Sequence, residues 1–221
     1  MAGKVIKGNT TAGNLIGDNS DDTLTGGTGA DTLIGGTGND VYYITNSNQV
    51  VQDSWGGGND TIYSSVSYKL AANSFVETLA LTGSGNLNLT GNNAYNTLIG
   101  NSGNNVLDGG SGLDTMIGGT GNDTYIVDNW HDEVVEKAGE GIDTISTAIQ
   151  YRNLLDNVEN LVLTGSANLL GYGNALANTI IGNAGNNRIF GYAGNDTIIA
   201  SAGNDSIDGG DGSDTVSYAG N

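Results

Sequence analysis

The chain has no cysteine, no proline and one histidine, and 6 Lys or Arg stand against 24 Asp or Glu in 221 residues. Without cysteine there is no disulfide framework and no thiolate metal centre. With a formal net charge of −18, no basic patch is available to neutralise phosphate. Nucleic acid is therefore excluded as a partner, and an anionic membrane surface is unfavourable. No apolar run is long enough to span a bilayer, so membrane insertion is not expected. Met1–Gly8 lacks the apolar core of a secretory signal peptide, so export is expected to proceed without a cleaved N-terminal signal. Gly-x-Ser-x-Gly elbows, phosphate loops and metalloprotease helix motifs are all missing. His131, beside Trp130 and Asp132 in a polar stretch, reads as solvated, and no catalytic residue is expected.

Glycine, at 38 residues, is abundant. Glycine content and charge of this order ordinarily indicate disorder. Regular spacing overturns that default, because a periodic chain buries a continuous apolar line by stacking even when no single unit has a core. Gly26–Tyr43 reads as two nonapeptides, Gly-Gly-Thr-Gly-Ala-Asp-Thr-Leu-Ile and Gly-Gly-Thr-Gly-Asn-Asp-Val-Tyr-Tyr. In each, the glycines and the aspartate suit a tight turn with bare carbonyls. The last three positions form a very short strand with one side chain inward. A pair of nonapeptides thus makes one flattened coil of two turns and two strands.

The phase begins at Gly8 and places Leu15, Leu24, Leu33 and Tyr42 inward, with Gly13, Asp22, Asp31 and Asp40 at the acidic position. The segment 44–82 is too apolar and too long for a loop. Val50–Val51, Tyr63–Tyr68 and Val76–Leu81 read as further strands, and Gly56–Ile62 repeats the turn motif. Ala71–Phe75 and Gln150–Asn157 are expected to form one helical turn at most. The pattern then recurs at about 82–83 residues: Asp31 and Asp40 return as Asp114 and Asp123, Asp60 as Asp143, Tyr68 as Tyr151, and Val76–Leu81 as Val158–Leu163. The expected division is a lead-in at 1–7, superunits at 8–90 and 91–172, and a third from 173 to 221 cut off by the chain end, all in one solenoid. The uncapped ending points to a longer parent protein. At about 4.8 Å between strands, roughly a dozen coils give a rod on the order of 55–60 Å long.

Turns of units n and n+2 lie on the same side of such a stack. A cation between them receives a carboxylate from each turn and several glycine carbonyls, about six hard oxygens, a number suited to Ca2+. The nonapeptide resembles that of the RTX (repeats-in-toxin) hemolysin-type calcium-binding proteins, and the likeness covers nearly the whole chain. It implies an all-β, right-handed parallel β-roll or β-solenoid with calcium bound in the turns. The ligands it implies are Asp22, Asp31, Asp40, Asp114, Asp123, Asp196, Asp205 and Asp214, with Asn96, Asn105, Asn178 and Asn187 as neutral donors. Asp60 and Asp143 are expected to face neighbouring turns. The carbonyls come from Gly27, Gly29, Gly36, Gly38, Gly110, Gly112, Gly119, Gly121, Gly194, Gly203, Gly210 and Gly212. Asp22/Asp40 and Asp196/Asp214 are the pairs with an acid on both sides. The resemblance further implies secretion by a one-step bacterial exporter and folding in external calcium. The chain is then a calcium-binding module of a secreted protein, the accessory part of an exported protease, lipase or epimerase, or an adhesive or surface-layer segment. Asn-x-Ser/Thr triplets fall mostly inside these turns and are a false lead for glycosylation. A threonine ladder of the kind that binds ice is interrupted by Val41, Val106 and Arg188.

Overall fold

The computed structural model describes residues 3–54, 56–150 and 153–218. Among these there is no helix, and every strand pairing is parallel. No helix long and apolar enough to cross a membrane is present. An eight-stranded sheet takes alternate strands from Val5–Lys7 to Glu133–Val135, and a nine-stranded sheet runs from Tyr68–Lys69 to Thr215–Tyr218, alternating likewise except that the consecutive strands Thr144–Thr147 and Asn160–Leu163 pair directly. Two three-stranded sheets, Asn14–Ile16 to Val50–Val51 and Leu170–Tyr172 to Ser206–Asp208, complete the two faces. The result is a parallel β-solenoid of about a dozen coils.

Nonapeptide coils pair residue i with i+18: Leu24 lies beside Tyr42, Leu15 beside Leu33 and Ile180 beside Ile198. A three-residue strand points only its middle side chain inward, so Thr-Leu-Ile at 97–99 has a buried centre between two half-buried flanks. The core is built on one file of such residues per face, joined by a second inward residue where strands lengthen, as at Ile44, Leu81, Val127 and Leu163. Leu24, Leu33, Tyr42, Leu98, Met116, Tyr125, Ile180 and Ile198 are fully buried. Gly171 stands in this file as well, and the side chains of Leu161, Leu163 and Ile180 close over it.

The segment 44–82 continues the stack through Val50–Val51, Thr61–Ser64, Tyr68–Lys69 and Thr78–Leu81. The strand expected over Tyr63–Tyr68 is therefore two. The chain bends at Ser65–Ser67, where the Ser64 hydroxyl donates to the Val66 carbonyl at 2.6 Å, and crosses to the other face. Ala71–Phe75 and the described part of Gln150–Asn157 hold turns and no helix. Tyr151, the expected counterpart of Tyr68, and the ending at 219–221 lie outside the described residues.

The two matching superunits are offset by half a coil. Tyr42 belongs to the eight-stranded sheet, and its counterpart Tyr125 belongs to the nine-stranded one. The repeat spans an odd number of strands, so equivalent turns emerge on opposite edges of the rod.

Leu98 packs in register between Leu79 and Met116. Leu98 is fully buried there, so truncating it leaves a gap that the strands can close only in part. Leu98→Ala is expected to cost about 2–5 kcal/mol, measured as a drop in equilibrium denaturation midpoint. Truncating the half-buried Ile99 beside it should cost clearly less.

Candidate functional site

The acidic position of each turn is ordered by a ladder along the rod edge. On the edge leading into the eight-stranded face, the Lys4 N–H donates to Asp22 Oδ1 at 2.5 Å, the Asp22 N–H to Asp40 Oδ1 at 2.7 Å, the Asp40 N–H to Asp60 Oδ1 at 2.7 Å, and the Asp60 N–H to Glu77 Oε2 at 2.8 Å. A second run on the same edge has the Asn96 N–H on Asp114 and the Asp114 N–H on Asp132. The opposite edge repeats the scheme, with the Asn105 N–H on Asp123, the Asp123 N–H on Asp143, and the Asp143 N–H on Glu159 at 2.8 Å. Gly13/Asp31, Asn178/Asp196, Asn187/Asp205 and Asp196/Asp214 make the same bond. Each carboxylate thus uses one oxygen to tie its coil to the preceding one.

The other oxygen has no partner. Oδ2 of Asp31, Asp40, Asp60, Asp114, Asp123, Asp143, Asp196 and Asp205 is buried and unpaired. Burying an unpaired carboxylate oxygen is costly unless a cation or a proton meets it. Asp22 differs, since its Oδ2 accepts the Asp18 N–H at 2.7 Å. Lys4 and Lys137, at 2.9 Å from Asp18 and 3.3 Å from Glu140, form the ion pairs found among the described residues, and neither reaches an unpaired oxygen.

Glycine keeps these pockets open. Gly36 and Gly38 have φ of 115° and 119°, a region L side chains rarely adopt. Gly27, Gly110, Gly119, Gly121, Gly194, Gly203, Gly210 and Gly212 also have positive φ, whereas Gly29 and Gly112 do not. A Cβ on Gly29 or Gly112 would instead collide with the Thr11 or Ala94 carbonyl of the preceding coil. A Cβ on Gly35 would collide with Asp40 Oδ2 and the Tyr42 hydroxyl.

The asparagine turns are built differently. Asn105 Oδ1 accepts the Asn101 N–H at 2.8 Å, and its amide donates to the Leu87 carbonyl at 2.9 Å. Asn96, Asn178 and Asn187 are likewise bonded through both amide atoms. The Gly27 and Gly29 carbonyls face the Gln49 amide at 2.9 and 3.1 Å, and the Gly112 carbonyl accepts from Asn129.

Two clusters collect three carboxyl groups each, Asp40/Asp53/Asp60 and Asp123/Glu136/Asp143. Burial raises the pKa of Asp40, Asp60, Asp123, Glu136 and Asp143, and neighbouring carboxylates raise it further: Asp60 to about 8, Glu136 to about 7 and Asp143 to about 6, with Asp40 and Asp123 shifted in the same direction. Asp114, buried beside Asp132, Asp128 and Asp108, rises to about 6. Asp53, Glu136, Glu77 and Glu159 were not among the expected site residues. The repetition of Val-Glu at 76–77 and 158–159 is the one sequence signal that marks the last two.

A solenoid whose edges carry stacked glycine turns with buried, half-satisfied carboxylates defines a repeat protein with sites for hard cations. The family model of the RTX calcium-binding nonapeptide repeat matches four times, at residues 8–43, 90–125, 172–205 and 190–220. These matches take in more than half of the chain, which belongs to the RTX calcium-binding repeat family. The repeat is a structural calcium-binding module rather than a catalytic domain. No curated protein matches the chain.

The raised carboxyl pKa values mean that the folded chain without metal binds protons more tightly than the unfolded chain does. Its stability is then highest near the ordinary carboxylate pKa and falls as pH rises through about 6, 7 and 8, the values of Asp143, Glu136 and Asp60. In chelator, the β signal in circular dichroism is expected to be stronger at about pH 5 than at about pH 8.

Proposed function

We propose that the chain is a calcium-binding β-roll module of a secreted bacterial protein, and that it completes its fold when it meets calcium outside the cell. The observation that carries this is the file of buried, unpaired carboxylate oxygens on both edges of the rod. In a chain of net charge −18, protein cations are too few to answer them, and glycine leaves room for an ion. Asp31, Asp40, Asp60, Asp114, Asp123, Asp143, Asp196 and Asp205 are assigned the ions, with Asp22 and Asp214 completing the acid pairs. Gly36, Gly38, Gly110, Gly119, Gly121, Gly194, Gly203, Gly210 and Gly212 are assigned as carbonyl donors. The Asn96, Asn105, Asn178 and Asn187 turns are held by their own amides, which do with hydrogen bonds what the ion does elsewhere. The amides of Gln49 and Asn129 replace an ion in the same way over Gly27, Gly29 and Gly112.

Calcium supplies positive charge and up to eight oxygen-coordination positions. The protein's part is to hold carboxylates of neighbouring coils close together. Without the ion, those carboxylates repel along the whole stack, and the glycine turns gain entropy by opening. Each site held at 100 times its Kd adds about 2.7 kcal/mol, so several sites together convert a disordered chain into a folded one.

The first test is circular dichroism in EDTA and in calcium, with binding stoichiometry from calorimetry. A largely unfolded spectrum in EDTA at low ionic strength and a β spectrum in calcium are expected. A full β spectrum in EDTA overturns coupled folding, and no calcium uptake overturns the reading as a whole.

The assignment of ions to aspartate turns and hydrogen bonds to asparagine turns is checked separately. Asp196→Asn is expected to lower the number of bound calcium ions while the rod still folds in excess calcium. Asn187→Ala, which removes bonds to Asn183, is expected to leave the ion count unchanged and to cost about 1–3 kcal/mol of stability.

A further inference from the structure

We infer that Asp40/Asp53/Asp60 and Asp123/Glu136/Asp143 form a distinct pair of divalent-cation sites, each completed by a carboxylate from outside the nonapeptides and built beside a buried tyrosine hydroxyl. The inference rests on the calcium-binding reading above and extends it to residues that the repeat does not contain. Asp53 lies just after the strand Val50–Val51, and Glu136 just after Glu133–Val135. Both belong to the segments between nonapeptide runs, outside the residues that the family repeat covers.

In the first cluster one oxygen from each of the three carboxyl groups lies within 4.8 Å of the others. Oxygens on opposite sides of one Ca2+ are about 4.6–5.2 Å apart, twice the usual Ca–O distance, so the three fit a single coordination sphere. Asp40, Asp53 and Asp60 are at most 4 % exposed. Oδ2 of all three is buried without a partner. Their other oxygens are already engaged, Asp40 Oδ1 by the Asp22 N–H, Asp60 Oδ1 by the Asp40 N–H, and Asp53 Oδ1 by the Tyr42 hydroxyl at 2.9 Å. These bonds fix each side chain and leave its second oxygen for a ligand. Neutral donors are close by. A Cβ placed on Gly57 would lie 2.8 Å from Asp53 Oδ2, 3.0 Å from the Ser54 carbonyl and 3.2 Å from the Gly36 carbonyl. Three buried carboxylates cannot all be ionised side by side without a cation, and among the described residues no lysine or arginine is paired with any of them.

The second cluster repeats this design with a longer acid. Tyr125 donates to Glu136, and Oδ2 of Asp123 and Asp143 and Oε2 of Glu136 are buried and unpaired. The additional methylene of Glu136 relative to Asp53 is absorbed with the tyrosine contact retained. Because of the half-coil offset, the two sites lie on opposite edges of the rod. Each sits where the coil lengthens, the aspartates being 20 residues apart rather than 18.

The test uses the whole chain and the pair of substitutions Asp53→Asn and Glu136→Gln, which keep shape and hydrogen-bonding oxygen but remove charge. Calorimetric titration with calcium is expected to show two fewer ions bound by the double variant, with the remaining ions retained. An unchanged count, with wild-type uptake intact, overturns the inference and leaves the proposed function standing. No uptake by the wild type removes both. Terbium gives a second readout, because tyrosine sensitises its emission only at short range. Calcium-displaceable emission is expected from the wild type and is expected to be largely lost in Tyr42→Phe/Tyr125→Phe. If the carboxamide variants fail to give a β spectrum in calcium, this comparison decides alone, and undiminished emission from the phenylalanine variant overturns the assignment.

Discussion

The structure depends on one constraint: carboxylates are stacked coil upon coil in a chain that has almost no cations of its own. The turn aspartates tie their coil to the one before through a backbone N–H, and most of them, Asp40, Asp60 and Asp143 included, keep a second oxygen buried and unanswered. The apolar core is a narrow file beside these turns, one inward side chain in each three-residue strand and two in strands such as Val41–Ile44, and charge buried beside it is costly unless it is paired. On the proposed reading, a cation between the turns offsets the repulsion of the carboxylates. That is why glycine, which excludes a Cβ from the space, is as necessary to the site as the aspartate.

Where the stack uses asparagine instead, the turn closes on itself. Asn105 and Asn187 satisfy both amide atoms within the coil stack, and no charge has to be answered. The rod therefore alternates between regions whose turn side chains are satisfied by hydrogen bonds and regions that leave carboxylate oxygens unpaired. The lengthened coils at 45–60 and 128–143 belong to the second kind and gather the densest negative charge. The half-coil offset puts those two regions on opposite edges, so their repulsion is spread around the rod instead of accumulating along one side.

Much of this was legible from residues. An apolar residue two places after each acid fixed the inward file, and Leu24, Leu33 and Met116 lie there fully buried. Spacing of 18 also identified which acids are neighbours, as Asp22 with Asp40 and Asp196 with Asp214. Less legible was anything carried by the segments without glycine punctuation. Tyr63–Tyr68 has tyrosines at both ends and a valine within and reads as one strand, yet Ser65–Ser67 form the bend by which the chain crosses between faces. Tyr42 reads as core, which it is, but its hydroxyl reaches Asp53, 11 residues along the chain.

Sequence by itself determined the period, and with it the parallel stacking, the inward residues and the oxygen-rich character of the turns. These follow from local geometry, since a strand of three residues has one inward position and a glycine turn has few conformations. Tertiary structure decided which edge each turn occupies, which carbonyls an amide covers, and that Asp53 and Glu136 join the acids of the repeats. Those outcomes depend on how two irregular segments lengthen a coil, a distance in space that no spacing along the chain encodes.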